Sequence, residues 1–151
     1  MANQLPYDAS MMPIELERNI SEVDRRIRAA ELASGRATGA VSLLAVSKTK
    51  PSELVRQAHG FGLSTFGENY AQEMAEKAAA LADLPLSWHF IGPIQSNKTA
   101  LIAKVSDWVH SIDRLKVARR LSEQRPGDKA PLNVLVQINT SNEDSKSGVR
   151  P

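Results

Sequence analysis

Short apolar segments alternate with amphipathic, helix-like segments along this sequence, and that alternation limits the possible folds more than any other feature. Residues 41–46 are a brief, nearly continuous apolar run, as expected of a strand covered on both faces, and 63–66, 86–91, 108–112 and 132–138 read as further short strands. Between them, residues 51–59, 70–84, 96–105 and 113–124 read as helices, stopped in turn by Gly60, Pro85, a polar break and Pro126-Gly127. Ahead of the first strand, Pro13 suits the first turn of a helix. Leu16, Ile20, Val23, Ile27 and Ala30 then follow as one apolar stripe, and Gly35 and Gly39 bracket its end.

Strand–helix units that repeat about every 20 to 27 residues imply a parallel sheet with helices on its faces. A doubly wound sheet and a (β/α)8 barrel both satisfy the pattern. A complete barrel needs about 250 residues and eight units, whereas this chain has 151 residues and five predicted strands. Residues 1–12 show no periodicity and are expected to be mobile. Residues 13–151 are expected to form one domain, closed by a polar loop after the fifth strand.

In either architecture the working face lies at the C-terminal ends of the strands. Polar groups gather there from five segments: Ser47-Lys48-Thr49-Lys50, Gly67-Glu68-Asn69-Tyr70, His89 with Gln95-Ser96-Asn97-Lys98, His110-Ser111-Ile112-Asp113-Arg114, and Asn139-Thr140-Ser141-Asn142. Lys48 is the most suggestive, because alternation puts it on the same face as Val46 and Leu44. An ammonium held against apolar walls loses hydration, which favours the neutral, nucleophilic amine. The plainer reading is a lysine snorkelling from a strand end into water. Asn69 and Ser96-Asn97 each precede a helix and could simply cap it. His89, between Trp88 and Phe90, reads either as a satisfied core histidine or as a group pointing inward with Ile91.

Other chemistries are disfavoured. The sequence has no cysteine, which removes disulfides, thiolate metal sites and cysteine nucleophiles. No phosphate-binding glycine loop or nucleophile elbow occurs. His59, His89 and His110 lack metal-ligand spacing, and Glu143-Asp144 beside Lys146 reads as a solvated turn, so no metal is expected. The net charge of +2 comes from 19 basic and 17 acidic residues that are interspersed. Arg25, Arg26 and Arg28 lie between Asp24 and Glu31, a solvated helix face rather than a nucleic-acid stripe. With neither a signal pattern nor a membrane-length apolar run, a cytoplasmic protein with no membrane partner is expected.

The ordered segments resemble the pyridoxal-phosphate homeostasis proteins, the YggS/PROSC family. Leu43-Leu44-Ala45-Val46-Ser47-Lys48-Thr49-Lys50-Pro51 is similar to the family's cofactor-lysine motif, and Phe66-Gly67-Glu68-Asn69-Tyr70 with Gln72-Glu73 to its second. Trp88-His89-Phe90-Ile91-Gly92-Pro93-Ile94-Gln95-Ser96-Asn97-Lys98 resembles the third. His110-Ser111-Ile112-Asp113-Arg114, Val136-Gln137-Ile138-Asn139 and Asp144-Ser145-Lys146-Ser147-Gly148 continue the series in family order. The resemblance implies an α/β fold of the (β/α)8 TIM-barrel type, like the N-terminal barrel of alanine racemase, with about five of its units present after an N-terminal amphipathic helix. It implies pyridoxal 5'-phosphate as cofactor, held as a Schiff base on Lys48, with Asn69 and His89 lining the cofactor face. The implied role is intracellular vitamin B6 homeostasis without substrate turnover, with apoenzymes that use the cofactor as possible acceptors. Rival readings are a racemase-like enzyme, which would need a second acid/base such as Tyr7 or Tyr70, and a remnant that no longer binds. Family members continue for roughly another 80 residues that carry the phosphate-holding loops, so the resemblance implies either a fragment or truncated product or a protein that departs from its family.

Overall fold

The computed structural model describes residues 12–141, 143 and 145–151. Helix α1 spans Met12–Ala33, and strand β1 is Ala45–Val46. There follow α2 (Ser52–Gly60), β2 (Thr65–Glu68), α3 (Ala71–Ala80) and β3 (Ser87–Phe90). A single 3-10 turn at Ser96–Lys98 leads into α4 (Thr99–Val105), then β4 (Trp108–Ile112), α5 (Leu115–Glu123) and β5 (Asn133–Val136). The segment expected to be mobile lies, apart from Met12, outside the described residues.

All five strands are parallel and lie side by side in chain order, β1-β2-β3-β4-β5. That order separates the two architectures left open by the sequence. A doubly wound sheet reverses direction at a switch point, whereas a sheet that always adds the next strand on the same side is the winding of a (β/α) barrel. The fold is therefore α/β of the barrel type, with five of its strands present.

The chain divides into two compact units. One holds the described residues up to Leu43 together with Glu53–Leu63; the other holds Leu44–Ser52 and Ser64–Pro151. Within the first, Glu31 is buried and its carboxylate accepts the N–H groups of Gly39 (3.0 Å) and Val41 (2.6 Å) while pairing with Arg28 (2.7 Å). This fixes the turn after α1, and it explains why the first strand is shorter than predicted: Val41 belongs to that turn. Two arginines of α1 are engaged by acids one turn away, Arg25 by Glu22 at 2.8 Å and Arg28 by Asp24 at 3.2 Å.

In the second unit, strand alternation sorts side chains to two faces. Phe66, Trp88, Phe90 and Val109 are buried on the face covered by α3, α4 and α5, together with Met74, Ile102, Ala103, Val117 and Leu121. The opposite face carries Val46, Gly67, His89 and Trp108. Its members sit side by side, since Val46 pairs with Gly67, Gly67 with His89, and His89 with Trp108. The polar loop expected after β5 is present, and its described residues are tied together by hydrogen bonds. The Asn139 side-chain amide donates to the carbonyls of Glu143 (2.8 Å) and Lys146 (3.3 Å). The chain then returns so that Val149 forms a parallel bridge with Ile138.

Candidate functional site

The three residues singled out in the sequence, Lys48, Asn69 and His89, all belong to the sheet unit. His89 lies on the Val46–Gly67–His89 row, while Lys48 and Asn69 each come two residues beyond a member of that row, at the strand ends. At a strand rise of about 3.3 Å per residue, His89 is roughly 6–7 Å deeper than the rim. Gly67 leaves the centre of this face open. A β-carbon there would meet Ile91 Cδ1 at 3.1 Å and Leu44 Cγ at 3.6 Å, so these two side chains form an apolar floor between Lys48 and His89.

Lys48 is exposed, as is Val46 beside it. Of the two surroundings the sequence allowed, apolar walls or open water, the described residues leave Lys48 in the second. Its backbone, by contrast, is firmly held. The Ser47 N–H donates to Gly67 O (3.0 Å), and the Lys50 N–H closes a turn on Ser47 O (3.1 Å). Thr49 sits at φ 63°. A β-branched residue pays on the order of 1–3 kcal/mol for that conformation and keeps it only when its surroundings enforce it.

The enforcing group lies on the helix face. Ser47 and Glu68 point there, and Lys77 of α3, only 5% exposed, reaches between them. The Lys77 ammonium spends its three protons on Glu68 Oε1 (2.6 Å), Glu73 Oε1 (2.7 Å) and the Ser47 carbonyl (2.7 Å). The Ser47 hydroxyl donates to Glu68 Oε1 (2.6 Å), and Glu73 Oε1 accepts the Thr49 N–H (2.5 Å). Sequence reasoning placed Glu68 on the rim and missed Lys77 altogether. The available signals were the Glu73/Lys77 spacing of four on one helix and an acid inside an apolar strand.

Asn69 is half-buried and lines a cleft with Tyr70, Phe90, Pro93, Gln95 and Lys98. It is not the cap of α3, because Tyr70 occupies that position and makes no side-chain cap hydrogen bond. The 3-10 turn is likewise preceded by Gln95, so Ser96-Asn97 lie inside it and do not cap it. Asn69 is located by close backbone packing: a β-carbon on Gly92 would lie 2.2 Å from Asn69 O. The Gly92 carbonyl is in turn held by the Ser111 hydroxyl at 2.5 Å.

His89 points away from the helices, stacked on Trp108 with ring centroids 5.7 Å apart and planes 7° from parallel. Its Nδ1 lies 2.9 Å from His110 Nε2. One of these nitrogens donates and the other accepts, so both rings cannot be fully protonated in this arrangement. Burial, followed by the neighbouring His110, lowers the His89 pKa from its ordinary value against an opposing pull from Asp107; burial lowers that of His110. His110 was not foreseen as a partner of His89. Among the described residues no cluster of histidine and carboxylate groups could hold a metal ion.

A chain-order parallel barrel sheet with a lysine at the tip of its first strand defines a class of domain, and the comparisons with known proteins agree. Residues 16–151 match the family described as alanine racemase, N-terminal domain, and the chain belongs to that family. It is 62% identical over 136 residues to the pyridoxal phosphate homeostasis protein of Pseudomonas aeruginosa, covering 90% of this chain and 59% of that one. It is 48% identical over 139 residues to the protein of the same name from Escherichia coli K12, with the same coverages of 90% and 59%. The chain thus spans 59% of the length of these curated relatives. Among solved structures, PipY of Synechococcus elongatus with PLP bound is similar at a TM-score of 0.66 and 37% identity, over 82% of this chain and 57% of that one. An unknown protein from Bifidobacterium adolescentis matches at a TM-score of 0.84 and 33% identity, over 99% of this chain and 64% of that one.

Proposed function

We propose that this chain binds pyridoxal 5'-phosphate through Lys48 and acts in cofactor homeostasis in the cytoplasm, without turning over a substrate. The observation that carries the reading is the placement of Lys48: a primary amine open to solvent at the tip of β1, on a turn whose flanking residues are fixed. Pyridoxal phosphate supplies an aldehyde, which condenses with a neutral primary amine by forming C=N and releasing its oxygen with the two amine hydrogens as water.

The residues on this face fit such a ligand at its aldehyde end. Lys48 provides the nucleophile at the rim. Asn69, whose backbone packs on Gly92, follows the neighbouring strand β2 at the same end of the sheet. Leu44 and Ile91 give an apolar floor on which a flat ring can rest, and His89, on its own strand row, borders that floor from below. The names of the Pseudomonas and Escherichia relatives, and the PLP-bound PipY structure, support the same choice of ligand. Asn69 and His89 are assigned to lining the cofactor, and apoenzymes that require it are the proposed acceptors. No helix among the described residues is long and apolar enough to cross a membrane.

A carrier also fits better than a racemase. Proton transfer on both faces of a bound amino acid needs a second positioned acid or base. Tyr7 lies outside the described residues, and Tyr70 is 59% exposed at the start of α3. Borohydride reduction of the chain with pyridoxal phosphate, followed by peptide mapping, tests the assignment. The pyridoxyl group is expected on Lys48 and is expected to vanish in Lys48→Ala; labelling mainly at Lys50, Lys98 or Lys146 would overturn it.

A further inference from the structure

We infer that Lys77 and Glu73 are positioning residues for Lys48, an inference that rests on the cofactor role proposed above. Neither side chain is on the open face. They act through the backbone on either side of the lysine. Lys77 donates to the carbonyl of Ser47, the residue before Lys48, and Glu73 accepts the N–H of Thr49, the residue after it. The two are ion-paired at 2.7 Å, so one charged unit brackets Lys48 from both sides. Glu68 anchors that unit to β2 through Lys77 and the Ser47 hydroxyl. The left-handed Thr49 at φ 63° shows what the bracket accomplishes. An unrestrained Thr would relax to negative φ, and the peptides on both sides of the Lys48 Cα would rotate with it. The side chain of Lys48 would then no longer leave the strand tip in a fixed direction.

Lys77 itself is a poor probe, because removing it leaves the Glu68 carboxylate buried without its cation and threatens the fold. Glu73 is the better one, since its side chain is 25% exposed. Three variants of the full 151-residue chain decide the matter: Glu73→Ala, which removes charge and acceptor; Glu73→Gln, which keeps an acceptor oxygen for Thr49; and Glu76→Gln, a control one turn along the same helix. Each is first shown to melt cooperatively. Lys48 is then labelled with limiting pyridoxal phosphate and borohydride, and its yield is referred to that of the exposed Lys146 in the same digest. Amide exchange at Thr49 and Lys50 is followed without cofactor.

Glu73→Ala is expected to lower the Lys48:Lys146 ratio about tenfold and to speed Thr49 exchange by a similar factor, the scale of one lost charge-assisted hydrogen bond. Glu73→Gln should recover part of both, and Glu76→Gln should match the wild type. Unchanged labelling and exchange in Glu73→Ala would overturn the inference while leaving Lys48 as the cofactor residue. Wild-type labelling that does not favour Lys48 would instead overturn the cofactor assignment, and the exchange data would still decide whether the bracket holds the turn.

Discussion

Strand β5 is the least protected part of the sheet, and the structure sets the size of the consequence. Val134 is 50% exposed, Leu135 45%, Val136 60% and Ile138 52%. Because alternate strand residues point to opposite faces, β5 is apolar and open on both. Burying such a side chain completely is worth about 1.5–3 kcal/mol, so roughly half of that, about 1 kcal/mol each and about 4 kcal/mol for the four, remains unrealised. Val149 bridges Ile138 two residues past the end of β5, Asn133–Val136 themselves form the outer edge of the sheet, and an apolar strand with a largely free edge is a template for pairing with another chain. The 151-residue chain is therefore expected to self-associate through β5. Val136→Lys, at the most exposed of the four positions, should weaken association. In a symmetric dimer the change is felt twice, about 2 kcal/mol or about 30-fold in Kd. Sedimentation velocity over a wide concentration range measures this, with Ile14→Lys on α1 as an exposed control. A wild type that stays monomeric throughout, or a Val136→Lys chain that associates as strongly as the wild type, would refute the reasoning. A chain of the relatives' full length should bury the same residues and suppress the association.

Two further outcomes follow from the site. Gly92→Ala would press a β-carbon to 2.2 Å from Asn69 O; the backbone must move, costing about 1–3 kcal/mol in urea unfolding and weakening cofactor binding as Asn69 shifts, whereas wild-type stability would show the contact to be slack. The lowered pKa values of His89 and His110 mean that the unfolded chain binds protons more readily than the folded one, so stability is complete above the ordinary histidine pKa and declines as pH falls below about 6.5. Urea melts between pH 7.5 and about 5 should show that decline, and His89→Gln should flatten it; a wild type that is flat across this window would contradict the burial argument.

What the sequence disclosed, and what it withheld, follows from the range of each interaction. Period and punctuation are local, and they placed all five strands, with Trp108–Ile112 matching its predicted limits. The face of His89 was also readable, since Trp88 and Phe90 are the apolar neighbours that turn toward the helices. Contacts between strands depend on register, which no single strand encodes. Hence His89 and His110 were treated as isolated, although the pairing of His89 with Trp108 brings their rings together. The same limit hid Lys77. In an alanine-rich helix a lysine reads as a solvated charge, and only the position of α3 against β1 and β2 makes it the centre of a buried network. Lys48 was singled out by position and resemblance, and of the two surroundings its position left open the solvent-exposed one holds, because the wall beside Val46 is open.

The two-residue period of a strand explains how one short segment serves both stability and binding. Ser47 and Lys48 are adjacent, so their side chains leave on opposite faces of the sheet. Ser47 goes to the helices, where burial and hydrogen bonds with Glu68 and Lys77 make the geometry rigid. Lys48 goes to the open face, where an aldehyde can reach it. Rigidity is thus placed one residue away from reactivity, and the lysine itself need not be buried or paired to be well oriented. An exposed amine keeps its rotamer freedom, which costs affinity when a ligand fixes it. A backbone fixed on both sides limits that cost to the side chain alone. This arrangement fits the carrier role proposed for Lys48: the turn is prepared in advance, while the amine itself stays open to solvent.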